Sequence, residues 1–437
     1  MIPKISIKTM IPGPKSLPKL ARIKKINGGW NVPYPFVQSR NGVGCYVADI
    51  DGNVYLDFSS QIGSNPLGYN HPDLKEVLRR YASRTPIKIA GQDFTCQEHI
   101  ELIESILDVS PKQFNAAFLV NSGAEAVENA IKVAMRHQKL AKFGVSFENA
   151  FHGRTLGALS CTNSKAVQKK HYLSLPMKRL PFNVNAASAL QDLIVREAAP
   201  EEVAFVIVEP IQGEGGYNIA SKEMLRSVRQ VTKAHGIPLI CDEVQVGLGR
   251  TGEWWSHEHF SITPDIIAAG KALQVGATIA NRALFPNEPG ALSSTWGGGH
   301  VLDMAMGIQT IKTIKKRRLL TNCKRAGSYL RKELGILGQT HLAMQNVRGI
   351  GLACAFDMLT PNFRDNLVME MLKNGVILLG CGTKTVRVIP PFIITKHDCD
   401  VFIGKLEEAL KKTVQKGFKH TGPIHDYMKV STRISKN

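Results

Sequence analysis

The sequence predicts an α/β fold in two parts: a large domain around a mostly parallel sheet, and a smaller α+β domain drawn from both ends of the chain. Three observations predict it. From about residue 84 to residue 314, short apolar runs alternate with segments of helical period, the pattern of strands joined by crossovers and covered on both faces. Ahead of that stretch, Tyr46-Val47-Ala48-Asp49 and Val54-Tyr55-Leu56-Asp57 face each other across Asp51-Gly52 and read as a hairpin. A length of 437 residues also buries a core easily and suits two domains. The boundaries that follow are 84–314 for the large domain, with 1–83 and 315–437 as the two parts of the smaller one.

In chain order, Ile11-Pro12-Gly13-Pro14 reads as irregular, and strands are expected near 116–120, 143–147, 203–208, 237–241, 265–269 and 279–284. Helices are expected near 122–139, 221–235 and 301–314, and the tail after Gly422 reads as irregular. No internal repeat is present. Ala116-Ala117-Phe118-Leu119-Val120 is apolar enough for a buried strand, and Asn121-Ser122-Gly123-Ala124-Glu125-Ala126 opens the helix that follows. Ser122 and Glu125 have capping-box spacing, and Gly123 admits a close approach, so backbone amides and the helix dipole converge where a phosphate could sit.

The most informative pair lies further on. Lys271 follows the run Pro264-Asp265-Ile266-Ile267-Ala268-Ala269-Gly270, and Asp242 closes the strand that ends in Cys241-Asp242-Glu243-Val244-Gln245. A lysine that forms a Schiff base and a carboxylate that pairs with a pyridinium nitrogen are the minimal kit for pyridoxal phosphate chemistry. A buried Asp242 favours the cationic ring through close opposite charge. Gln245 can hydrogen-bond the phenolic oxygen, Val244 can cover one ring face, and Phe151, in Ala150-Phe151-His152-Gly153-Arg154-Thr155, can cover the other. His152 reads as a proton shuttle or, preferably, as a structural or solvated histidine. Each piece alone is ordinary; cradle, ring lid, acidic strand end and lysine in that order, each at the carboxyl end of an expected strand, are not.

With those blocks in view, the sequence resembles the class III (ω-amino-acid) aminotransferases of the fold-type I pyridoxal phosphate family, from about Pro12 to the region of Leu410. Further matching blocks are Ile50 to Phe58, Val208 to Gly216, Ser294-Thr295-Trp296-Gly297-Gly298 and Val386-Arg387-Val388-Ile389-Pro390-Pro391. The resemblance implies that Lys271 is the Schiff-base lysine and general base, Asp242 the ring-nitrogen partner and Gln245 the phenolate ligand. It implies that Ser122, Gly123 and Ala124 hold the phosphate, joined by Thr295 from a partner subunit, so that the enzyme is a homodimer or a tetramer. It also places Phe151, His152 and Val244 against the cofactor, and Glu209 and Glu214 among the catalytic groups.

The same resemblance assigns Arg387 to the α-carboxylate of 2-oxoglutarate, with Glu214 pairing with Arg387 and swinging away when the dicarboxylate enters. Arg179, in Lys178-Arg179-Leu180-Pro181-Phe182, falls where a distal-carboxylate arginine is expected, with a solvent-exposed basic loop as the competing reading. The implied reaction moves the ω-amino group of 4-aminobutyrate, or a similar ω-amino acid, to 2-oxoglutarate. The segment Ala272-Leu273-Gln274-Val275-Gly276 after the lysine resembles lysine ε-aminotransferases instead, and ornithine or acetylornithine aminotransferases and amino-acid racemases share most of the core.

Composition narrows the alternatives. Lys+Arg 55 against Asp+Glu 36 gives a net charge of +19, which suits anionic cofactors and dicarboxylates. The basic residues are dispersed and match no nucleic-acid module, and a non-catalytic, nucleic-acid-binding reading requires a broken site, whereas Lys271, Asp242 and Gln245 are all present. The eight cysteines include no Cys-x-x-Cys pair, so neither a disulfide framework nor a metal or iron–sulfur site is expected. Met1-Ile2-Pro3-Lys4-Ile5-Ser6-Ile7-Lys8 lacks the apolar run of a signal peptide and no segment is long enough to span a membrane, so a cytoplasmic location is expected.

Overall fold

The computed structural model describes residues 4–29, 34–83, 94–292 and 298–415. The chain divides into two compact units, Asp73–Leu320, and Met1–Pro72 with Thr321–Asn437.

In the larger unit one seven-stranded sheet has the order Ala116–Val120, Gly276–Ala280, Ile266–Ala269, Leu239–Asp242, Val203–Val208, Phe143–Phe147 and Met177–Leu180. Gly276–Ala280 is antiparallel to both neighbours, and all the other pairings are parallel. Every residue of Val203–Val208 is buried, the continuous apolar run that a strand covered on both faces requires. Helix Gly123–His137 lays Ala126, Val127, Ala130, Ile131, Val133 and Ala134 against the sheet, and Thr278 Oγ1 donates to the Ala126 carbonyl at 2.8 Å. Helix Lys222–Ala234 begins where the Ser221 side chain accepts from the Met224 amide at 3.0 Å, and its Met224, Leu225, Val228 and Thr232 form the buried face.

One strand sits earlier than its sequence suggests. The strand expected at 279–284 is Gly276–Ala280, and Arg282–Leu284 forms a 3-10 turn instead. Asn281 is the reason: its side-chain oxygen accepts from the Ala283 amide at 3.0 Å and closes a turn that competes with further pairing. Met177–Leu180, at the sheet edge, and the helices Gln97–Leu107, Leu156–Cys161 and Ala186–Arg196 have no counterpart among the expected elements.

The smaller unit carries two four-stranded sheets. One is Gln38–Val43, Tyr46–Asp49, Val54–Asp57 and Val376–Ile377; the other is Met344–Ile350, Ala353–Met358, Thr385–Val388 and Leu379–Cys381. The hairpin pairs Tyr46 with Leu56 and Ala48 with Val54, and its turn is closed by Asp49 Oδ1, which accepts from the Asp51 and Asn53 amides at 2.9 Å each. Gly52 there has φ +85°, which a residue with a Cβ adopts only under strain. Among the described residues no helix is long and apolar enough to cross a membrane.

A Cβ added at Gly276 would come within 2.1 Å of the Ser122 carbonyl oxygen and 2.7 Å of Val120 Cγ2. The obstruction is backbone inside a sheet, so Gly276→Ala is expected to destabilise the protein by about 1–3 kcal/mol. The measurement is a lowered urea midpoint at unchanged slope; an unchanged midpoint would show that the strand can move aside.

Candidate active site

Five strands of the larger unit deliver their carboxyl ends to one place. Ala116–Val120 leads to Ser122, Phe143–Phe147 to Phe151 and His152, Val203–Val208 to Glu209, Leu239–Asp242 ends in Asp242 itself, and Ile266–Ala269 leads to Lys271. This is the side of an open α/β sheet where ligands bind.

Asp242 is the fixed point. It is 5% exposed; its Oδ2 lies 2.8 Å from His152 Nδ1, and its Oδ1 accepts from the Val244 amide at 3.0 Å. The buried Nε2 of His152 has no hydrogen-bond partner among the described residues. The His152 amide donates to Thr162 Oγ1 at 2.9 Å, so the histidine is held from both sides and is neither solvated nor free to shuttle protons to water. The neighbouring Glu243 faces elsewhere and accepts from the Ser256 and His257 amides at 2.9 and 2.8 Å.

The helix start expected to cradle a phosphate and the lysine turn meet where side chains are missing. Ser122 Oγ accepts from the Glu125 amide at 3.2 Å, while the Glu125 carboxylate reaches back to the Asn121 amide at 2.8 Å, one residue earlier than the usual capping box. The Gly123 and Ala124 amides stand in the first turn of a 15-residue helix, where no carbonyl four residues earlier is available to them. A Cβ on Gly123 would lie 2.5 Å from Val244 Cγ1, and one on Gly270 would lie 3.1 Å from Gly123 Cα. Glycine at both positions therefore lets helix start, Val244 and lysine turn close on one another. Lys271 opens a 3-10 turn with φ +45°, a left-handed conformation that a non-glycine residue holds only when its surroundings impose it.

Glu209 lies at the back of this group. It is 6% exposed, its Oε1 accepts from the Phe151 amide at 2.8 Å and its Oε2 from the Gly213 amide at 2.9 Å. Burial first and the charge of Asp242 second push its pKa up to about 8, against the two amide bonds that hold it down. Tyr217 donates to Gln245 Oε1 at 2.9 Å, which turns the amide nitrogen of Gln245 away from that contact. Tyr217 is a site residue that the sequence does not reveal, because no local pattern links it to Gln245, 28 residues away.

The residues expected to meet the substrate are distributed differently. Arg179 lies on the edge strand Met177–Leu180, half-buried, and not in a loop. Its Nη1 donates to Ser146 Oγ at 2.6 Å and its Nη2 to the Ser160 carbonyl, while Lys169 Nζ donates to the Thr162 carbonyl at 3.1 Å. Ser146 Oγ in turn donates to the Cys161 carbonyl at 2.9 Å, so these groups together satisfy the last carbonyls of the helix Leu156–Cys161. Burial lowers the pKa of Arg179, with Cys161 opposing the shift. Arg154 is different: exposed, on the loop that carries Phe151 and His152, it makes no hydrogen bond or ion pair with a described residue. Glu214 is half-buried in the turn after Glu209. Arg387 belongs to the smaller unit, buried in the strand Thr385–Val388, with Nη2 donating to the Gly380 carbonyl at 3.3 Å. Thr295 lies outside the described residues.

A helix start opened by Gly123, a buried carboxylate braced by a histidine, and a lysine turn packed against that helix start fit a phosphorylated pyridine aldehyde. The comparisons agree with that chemistry. The family model for class III aminotransferases matches residues 30–410, and the chain belongs to that family. It is a pyridoxal phosphate-dependent aminotransferase. It is 32% identical over 452 residues to the 4-aminobutyrate aminotransferase of Dictyostelium discoideum, covering 93% of this chain and 91% of that one. It is 33% identical to the acetylornithine aminotransferase of Caldanaerobacter subterraneus subsp. tengcongensis, with 87% of this chain and 95% of that one covered. The solved lysine aminotransferase of M. tuberculosis superposes with a TM-score of 0.84 at 28% identity, over 91% of this chain and 98% of that one.

Since a Cβ at Gly123 would strike a branched side chain at its rigid stem, Gly123→Ala is expected to displace Val244 or the helix start and to weaken cofactor binding at least about tenfold with the fold retained. Fluorescence titration of the apoprotein with pyridoxal phosphate measures this; unchanged affinity would place the phosphate elsewhere.

Proposed function

We propose that the protein transfers the ω-amino group of 4-aminobutyrate, or a similar ω-amino acid, to 2-oxoglutarate, giving succinate semialdehyde and glutamate. Pyridoxal phosphate supplies an electron sink that lets a C–H bond beside the transferred nitrogen release its proton. In this reading Lys271 anchors the cofactor and carries that proton between carbon atoms as base and then acid. Asp242, held by His152 and the Val244 amide, presents negative charge to the ring nitrogen. Gln245, oriented by Tyr217, donates to the phenolic oxygen, and the Gly123 and Ala124 amides hold the phosphate with Ser122. Phe151 and Val244 cover the ring faces and exclude water, and Thr295 of a second copy completes the cradle in a homodimer.

The observation that carries the substrate reading is the uncommitted guanidinium of Arg154, three residues after Phe151. A donor that presents an ω-amine to Lys271 and a carboxylate at its far end needs a cation beyond the ring, and Arg154 has donors to spare where Arg179 is engaged by the Ser146 hydroxyl and the Ser160 carbonyl. Arg154 is therefore the proposed distal-carboxylate residue and Arg179 a brace for the helix behind it, with Arg387 proposed for the α-carboxylate of the acceptor. The acetylornithine and lysine aminotransferase relatives support a second reading, a longer diamino-acid donor.

The test is a donor panel of 4-aminobutyrate, β-alanine, ornithine, lysine and acetylornithine against 2-oxoglutarate and pyruvate. With 4-aminobutyrate as donor, Arg154→Ala is expected to lower kcat/KM about tenfold or more, the loss of a charge-assisted contact of roughly 1.5–3 kcal/mol, and to leave a simple amine unaffected. Arg179→Ala is expected to lower the melting temperature and to reduce all donors alike. The opposite pattern would return the carboxylate to Arg179, and turnover of ornithine or lysine alone would replace 4-aminobutyrate as donor.

A further inference from the structure

Three contacts join the loop that carries Phe151 to the turn that carries Glu214. Gln212 Nε2 donates to the Glu148 carbonyl at 2.6 Å, and the Gly215 backbone passes so near Asn149 that a Cβ there would lie 2.4 Å from the Asn149 carbonyl oxygen. The third is Glu209, whose two oxygens accept one amide from each segment, Phe151 and Gly213. Of the three it is the only one made by an ionisable group, and the only one that reaches the ring-facing residue itself. The turn in its place lies on Gln245: a Cβ at Gly213 would come within 2.3 Å of Gln245 Oε1.

We propose that Glu209 is a positioning residue, a buried clamp that fixes the spacing between the Phe151 loop and the Gly213 turn and so sets the slot between Phe151 on one side and Gln245 with Val244 on the other. It acts through Phe151 and Gln245 and touches neither substrate nor cofactor. A carboxyl group suits this role because each of its two oxygens accepts one of the two converging N–H groups. An amide of the same shape turns an NH2 group toward one of them, so the clamp opens on one side while the packing volume is unchanged. This inference rests on the reading that Phe151 and Gln245 flank the cofactor.

The experiment compares the holoenzymes of wild type, Glu209→Gln, Glu209→Ala and Phe151→Ala by steady-state kinetics and by circular dichroism in the cofactor's visible band, which reports how the ring is held in its asymmetric surroundings. Glu209→Gln is expected to keep its far-ultraviolet spectrum, to lose at least about half of the visible dichroism and to lower kcat about tenfold with a smaller change in KM. Glu209→Ala is expected to go further in the same direction. Native visible dichroism and kcat in Glu209→Gln would overturn the clamp. A Phe151→Ala holoenzyme with native visible dichroism would overturn the flanking assignment instead, which separates the two failures. Should the Glu209 variants not fold, hydrogen exchange in the wild-type holoenzyme decides: the Phe151 and Gly213 amides are expected to be protected together, and rapid exchange at either contradicts the clamp.

Discussion

A negative charge buried at the end of a central strand is the constraint to which the rest of the site answers. Removing Asp242 from water costs several kcal/mol, and one imidazole N–H and one backbone N–H return only part of that. A cation would complete the arrangement, and in the proposed function the protonated pyridine ring supplies it. The physical role of His152 follows. Its Nδ1 lies 2.8 Å from the carboxylate and holds it in place, while its Nε2 is buried without a hydrogen-bond partner among the described residues. A ring with a protonated nitrogen withdraws electrons more strongly than one that has lost its proton.

Around that charge the protein stores strain and closeness. Lys271 is held at φ +45°, a conformation that costs of order 1–3 kcal/mol and persists only where its surroundings fix it. Here the fixing is done by the turn bond from the Leu273 amide to the Gly270 carbonyl at 3.0 Å and by the burial of Ala272 and Leu273. Gly123 and Gly276 allow the helix start and the antiparallel strand to approach within distances that no Cβ permits, and at Gly270 a Cβ would be tight, 3.1 Å from Gly123 Cα. The result is a closely packed group on regular elements, with Arg154 and Glu214 on the loop and turn that follow two of its strands.

Which parts are legible in the sequence follows from how local each signal is. Strands such as Val203–Val208 and Ala116–Val120 declare themselves through uninterrupted apolar runs, and Ser122, Asp242 and Lys271 are readable because each sits at or just after the end of an apolar run. Met177–Leu180 is hidden because Lys178 and Arg179 interrupt its apolar pattern; at the edge of a sheet, charged residues are tolerated, so a strand reads as a basic loop. The commitment of Arg179 to Ser146 and Ser160 is also invisible in one dimension, since it depends on the register that pairs Ser146 with Arg179. Glu209 is legible as a residue of a matching block but not as a clamp, because its partners are backbone amides 58 residues before it and 4 after it.

The central claim is that Lys271 carries the cofactor at the carboxyl edge of this sheet, over the Asp242 and His152 pair. The most direct measurement is borohydride reduction of the holoenzyme followed by peptide mapping by mass spectrometry. The account predicts loss of the cofactor's near-visible absorption band and one phosphopyridoxyl modification, at Lys271, absent from Lys271→Ala. Modification of another lysine, or an absorption band that survives reduction unchanged, would contradict it.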